Sequence, residues 1–223
     1  MATIISTKVK FKNTDREFPV CYLELNDQGN EILRKDFDES GNLYKKSVSY
    51  YNGENLKKLT EVFSPSDAVL EKVKFYYNRK NKEVSTEEYT FEDGSGMLKF
   101  FYYCPEYLMV RTINDFDEEI QRCIWYYDIS KRPIIKSELN ASGMEIKKTL
   151  LKYDSFGQIV QEEICGLEKS IYEYDNQNNK IIKTTFSSLG EKIATSVITR
   201  DDKNRIISEE NSSFVKKTEY INV

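Results

Sequence analysis

Tyr153-Asp154-Ser155-Phe156-Gly157-Gln158-Ile159 decides the fold class. Tyr153 is an aromatic of the kind that ends a strand, and the short Asp154 carboxylate can hydrogen-bond its own backbone two residues on. Gly157 takes the left-handed conformation without steric cost, and Ile159 begins a new apolar alternation. Together they describe a type I turn closed by a glycine bulge, a common short connection between antiparallel strands.

The pattern recurs along the chain. Tyr51-Asn52, Tyr77-Asn78, Tyr103-Cys104, Tyr127-Asp128, Tyr153-Asp154, Tyr174-Asp175 and finally Arg200-Asp201 form a ladder with steps of 26, 26, 24, 26, 21 and 26 residues. Most units carry a second turn near the middle: Ser64-Pro65-Ser66-Asp67, Glu92-Asp93-Gly94-Ser95-Gly96, Asn140-Ala141-Ser142-Gly143 and Ser187-Ser188-Leu189-Gly190. In the short unit Cys165-Gly166 makes a tighter one. Before the ladder, Ile4 to Phe11 and Phe18 to Leu25 read as strands around Lys12-Asn13-Thr14-Asp15-Arg16. Asn26-Asp27-Gln28-Gly29-Asn30 and Asp38-Glu39-Ser40-Gly41-Asn42 read as hairpin turns.

About nine strand residues and about four turn residues give a basic step of ~13. No long stretch keeps a 3.6-residue period, so helix is not expected. The sequence predicts an all-β antiparallel meander of well over a dozen strands, built of 26-residue double units, as one domain over residues 1–223. The sheet is expected to be a curled single sheet, a two-layered roll or a half-barrel. Cys104-Pro105-Glu106 is the one irregular connection.

Tyr153 to Ile159 and Tyr172-Glu173-Tyr174-Asp175-Asn176-Gln177-Asn178-Asn179-Lys180-Ile181 resemble the YD repeats of Rhs-type proteins. The resemblance is best over about residues 120–208; Tyr51-Asn52 and Tyr77-Asn78 keep its outline, and Arg200-Asp201 lacks the tyrosine. It implies a spiralling β-meander and an association with toxins. The step here is longer than the family's typical unit, and no toxin tail is recognisable.

Composition narrows the chemistry. Lys and Arg number 33 against 37 Asp and Glu, a net charge of −4 with the signs interspersed. No basic block follows a phosphate backbone, so nucleic acid is not an expected partner. There is no histidine, which removes Ser-His and Cys-His nucleophile pairs and histidine metal sites. Cys21, Cys104, Cys123 and Cys165 show no metal-binding spacing and read as free buried thiols. The runs Asp115 to Glu119 and Glu162-Glu163 read as solvated turns and edges more readily than as acid–base pairs. No cofactor motif is present and none is expected. The stretch from Met1 to Lys8 lacks a signal-peptide core, and no run reaches membrane-span length. A cytoplasmic protein without a membrane span is expected.

Strand residues alternate faces, so columns counted back from the ladder report each face. Two positions back lie Ser49, Phe75, Phe101, Trp125, Leu151, Tyr172 and Ile198, the expected core face. One position back lie Tyr50, Tyr76, Tyr102 and Tyr126, followed by Lys152, Glu173 and Thr199. The four tyrosines are the candidate binding residues. They form either an exposed aromatic stripe or a face covered by a second layer of the curling sheet. The partly apolar column three back (Val48, Lys74, Phe100, Ile124, Leu150, Ile171, Val197) favours the covered reading. The functional expectation is a non-enzymatic protein-binding module, such as a bacterial immunity protein that neutralises a toxin. A surface or periplasmic carbohydrate-binding module and a self-assembling element pairing through its edge strands are the alternatives.

Overall fold

The computed structural model describes residues 3–14 and 16–222; Met1, Ala2, Asp15 and Val223, which fall in the amino-terminal stretch, the first polar connection and the last position, lie outside the described residues. Among the described residues every regular element is a strand. The first nine are β1 Thr3–Phe11, β2 Glu17–Leu25, β3 Glu31–Phe37, β4 Leu43–Tyr51, β5 Lys57–Phe63, β6 Val69–Tyr77, β7 Val84–Phe91, β8 Gly96–Tyr103 and β9 Tyr107–Asn114. Then come β10 Glu119–Tyr127, β11 Pro133–Asn140, β12 Glu145–Tyr153, β13 Ile159–Ile164, β14 Glu168–Asp175 and β15 Lys180–Ser187. The last are β16 Lys192–Arg200, β17 Ile206–Glu210 and β18 Phe214–Asn222. Five ladder tyrosines and Arg200 are the final residues of their strands, and Tyr174 is one short of the end.

The decisive stretch folds as its residues require. The Asp154 N–H donates to Gln158 O at 2.9 Å and the Gly157 N–H to Asp154 O at 3.2 Å. Asp154 Oδ1 accepts from the N–H groups of Phe156 and Gln158, both at 2.9 Å. Gly157 sits at φ 83, the left-handed position that closes the bulge. Asn26, Asn52 and Asn140 make the same pair of side-chain bonds in their own turns. The Asp154 carboxyl is held below the usual carboxylate range by these backbone donors, Gln158 first.

The ladder aromatic has a second task. Tyr153 OH donates to Pro133 O at 2.7 Å, so the end of β12 caps the carbonyl that opens β11. Tyr51 does the same for Glu31 O at 2.9 Å. Arg132 lies 4.7 Å from the Tyr153 ring centroid and is itself held by Asp128 through Nε at 2.7 Å. Asp201 holds Arg205 in the same way, with Arg205 4.1 Å from the Tyr220 ring centroid. At Tyr153-Asp154 the tyrosine thus tethers the neighbouring strand while the aspartate locks the turn.

Each strand is hydrogen-bonded to the next, and β1 pairs with β2 and also with β18. The hydrogen-bonded meander thus closes on itself through β1 and β18, where the sequence suggested an open curled sheet, a roll or a half-barrel. Closure rests on the antiparallel ladder from Thr3↔Asn222 to Phe11↔Phe214, a pairing between distant segments that no local pattern announces. It also removes β1 and β18 as edges, and with them the expected route to edge-strand self-association.

The chain forms two compact units: Met1–Lys72 with Tyr174–Lys183 and Ala194–Val223, and Val73–Glu173 with Thr184–Ile193. In both, the face carrying the ladder is the covered one. Its most buried positions differ from the expected aromatic core. They are Thr7, Ser49 and Ser196 in the first unit, and Val73, Val110, Thr112, Thr149 and Ser170 in the second. The hydroxyls pair with one another, as in Ser49 with Thr60 and Ser170 with Thr185, each at 3.1 Å, which meets the cost of burying them. Large rings stand towards the strand ends, and small residues occupy the middles.

Candidate functional site

Tyr50, Tyr76, Tyr102 and Tyr126 are each the penultimate residue of a strand, so they point away from the ladder face. Their side chains are 39–47% exposed. They stand on the face opposite the ladder, where Ser137 is buried but the four tyrosines stay half-exposed.

In the second unit, register places more residues beside Tyr76, Tyr102 and Tyr126. Tyr102 lies opposite Met109, Met109 opposite Ile124, and Tyr107 opposite Tyr126. The Tyr107 and Tyr126 ring centroids are 6.2 Å apart. Tyr76 OH donates to Glu88 Oε2, and Lys74 Nζ reaches Glu88 Oε1 at 3.2 Å. The phenol, then the ammonium, holds the Glu88 carboxyl below its ordinary value.

Arg111 and Arg122 face each other across β9 and β10, a repulsive pairing unless it is bridged. Glu119 bridges it, accepting from Arg111 Nε at 2.7 Å and from Arg122 Nε at 2.8 Å. Burial pushes the Glu119 carboxyl up, but the two guanidinium groups outweigh it and hold the group below its ordinary value. One carboxylate between two guanidinium groups leaves a net positive charge next to Tyr102, whose phenol supports the Arg111 cation after Glu119.

The first unit repeats the motif once. Tyr50 OH donates to Glu61 Oε2 at 3.2 Å, and Lys72 Nζ lies 2.8 Å from Glu61 Oε1. Lys72, first of all, holds the Glu61 carboxyl down.

Sequence reasoning found the tyrosine column because it needs only alternation along a strand. Arg111, Glu119, Arg122, Met109 and Tyr107 were missed. Their juxtaposition depends on cross-strand register and on an irregularity between Glu119 and Gln121 that brings Glu119 over both arginines.

The acidic runs do not converge. Asp115 accepts from the Gly96 N–H, Glu118 from Asn114 Nδ2, and Glu119 from the arginines. Glu162 and Glu163 are consecutive in β13 and so point to opposite faces. Among the described residues no group of three metal-ligating side chains stands together. The cysteines are free, with Cys21, Cys104 and Cys123 half-buried and Cys165 exposed rather than buried as expected. Burial pushes the Cys21 and Cys123 thiols up.

Among the described residues no helix is long and apolar enough to cross a membrane.

No protein-family model and no curated protein matches the chain. Among solved structures it is similar to the Tc holotoxin pore of Photorhabdus luminescens, at 13% identity over 87% of this chain and 12% of that chain, with a TM-score of 0.34. It is also similar to porin-like proteins of Bacteroides uniformis (10% identity, 98% and 96% of the two chains, TM-score 0.38) and Bacteroides vulgatus (12%, 98% and 99%, 0.34). The chain spans 12% of the length of the toxin chain it matches. Likenesses of this strength identify neither a family nor an activity.

Proposed function

We propose that the chain is a non-enzymatic protein-binding module whose docking surface in the second unit is the open face bearing Tyr76, Tyr102 and Tyr126. The observation that carries this reading is the exposure of these three tyrosines beside the Arg111–Glu119–Arg122 bridge. Tyrosine and arginine are the residue types enriched at the energetic centres of protein interfaces. The resemblance of the turns to YD repeats makes a toxin the first partner class to test, with this chain as its cytoplasmic immunity protein.

The test is affinity capture from the native organism with the intact chain and with Tyr76→Ser/Tyr102→Ser/Tyr126→Ser. Circular dichroism first confirms that both baits have the same strand content. A stoichiometric protein that binds the intact chain, rebinds after purification and ignores the triple variant supports the reading. Equal capture by both baits, or capture by neither, refutes it.

A further inference from the structure

On the covered face of the second unit, register builds a bowl. Its floor is small: Val110 and Thr112 on β9, with Cys123 on β10. Phe101 and Trp125 stand at one side of this floor, since Phe101 pairs with Val110 and Val110 with Cys123, while Trp125 is two residues beyond Cys123. Small residues ringed by large ones leave a concavity of about 260 Å³. That is below the volume usual for drug-sized ligands, roughly 300–1,000 Å³.

The rim is polar and balanced in charge. Lys99 Nζ donates to Tyr89 OH at 2.9 Å, and Tyr89 OH donates to Glu87 Oε2 at 2.7 Å. On the other side Lys136 and Glu138 pair at 2.8 Å, with Lys136 Nζ 5.5 Å from the Trp125 ring centroid. Two cations and two carboxylates thus face one hollow. A charged ligand would add an unbalanced charge to it, and a wholly apolar one would strip water from four charges with no return. A neutral molecule bearing many hydroxyls meets both needs, because each hydroxyl accepts from an ammonium and donates to a carboxylate. The indole offers a flat apolar surface for one face of a ring.

We propose that this bowl binds a neutral saccharide of one or two rings, stacked on Trp125 and hydrogen-bonded by Lys99, Glu87 and Glu138. The site is separate from the tyrosine row: Trp125 and Tyr126 are adjacent in β10 and face opposite ways.

Trp125 is the one tryptophan of the chain, so its emission reports on the bowl alone. The full chain is titrated with D-glucose, N-acetyl-D-glucosamine and maltose to about 100 mM, a hundredfold above a ~1 mM affinity. Sodium acetate and ethylammonium chloride serve as charged probes. At least one sugar gives a saturable change, weakened about tenfold in Lys99→Met and Glu138→Gln by the loss of one charged hydrogen bond. Cys123→Leu fills the floor and abolishes the change, whereas Tyr126→Ser leaves it intact; circular dichroism verifies the fold of each. Emission unmoved by all three sugars, a response to the charged probes alone, or a sugar response that survives Cys123→Leu overturns the proposal.

Discussion

Replacing Tyr153 by phenylalanine isolates the tether between neighbouring strands. The variant keeps the ring and its contact with Arg132, 4.7 Å from the centroid, and loses only the hydroxyl that donates to Pro133 O at 2.7 Å. Burial pushes the Tyr153 phenol above its ordinary value, so the hydroxyl remains a donor throughout the physiological pH range. A net hydrogen bond of this kind contributes about 1 kcal/mol. A chain of this length unfolds with an entropy near 0.5 kcal/mol/K, so the midpoint falls by about 2 °C. Tyr153→Leu also forfeits the ring–guanidinium attraction, about another 0.5–1 kcal/mol, and loses roughly 3–4 °C in all. Thermal unfolding followed by circular dichroism measures both, with Tyr126→Phe on the open face as the unaffected control. If Tyr153→Phe matches the parent, or falls as far as Tyr153→Leu, the hydroxyl tether is not what the ladder tyrosine contributes.

Acid should weaken the turns. The carboxyls of Asp38, Asp128, Asp154 and Asp201 lie below the ordinary aspartate value in the folded chain, each held chiefly by donors within its own turn. Their stabilisation is therefore present above about pH 4 and is lost as pH falls through the lowered folded values. The urea midpoint holds steady from neutral pH to about 5 and drops below 4 or so; Asp154→Asn, which supplies the turn as Asn140 does, reduces that drop, and a midpoint flat to pH 3 or thereabouts contradicts the sign. Gly157→Ala loses about 1–2 kcal/mol to the left-handed backbone alone, since its new methyl would meet only Arg132 Nη1 at an ordinary 3.7 Å. Asp117→Gly, at φ 59, gains up to about 1 kcal/mol in urea unfolding; a loss there shows that the aspartate is anchored by something other than its backbone. The triple serine variant of the tyrosine row keeps its unfolding midpoint within about 2 °C of the parent, as expected for side chains on an open face.

Strands and turns were legible because their signals are local. Phe11 and Leu25 end their strands where the alternation stops, and Arg200 ends β16 although it lacks the ladder's tyrosine, because Asp201 still makes the turn. The partner of β1 was not legible, since nothing in Ile4 or Ile5 specifies Ile221 or Tyr220. The tyrosine column could be read from alternation, but its exposure could not. Phe100 and Ile124 had argued for a covered face; in the structure they share that face with Arg111 and Arg122, whose charges require water. Glu119 had looked like part of a solvated acidic run, and only register turns it into a bridge.

In a ring of hairpins any junction could serve as the seam, the one place where two strands meet without a turn between them. Here the seam carries nine paired positions, from Thr3↔Asn222 to Phe11↔Phe214. The β13–β14 ladder has four, Gln161↔Ile171 to Ile164↔Glu168. A turn keeps short strands together by connectivity, whereas a seam must hold by its rungs and side chains. Joining Asn222 to Thr3 through a short linker and opening the chain at Gly166 would move the seam to the four-rung ladder. The same ring of strands would then part first between β13 and β14, where hydrogen exchange would find it.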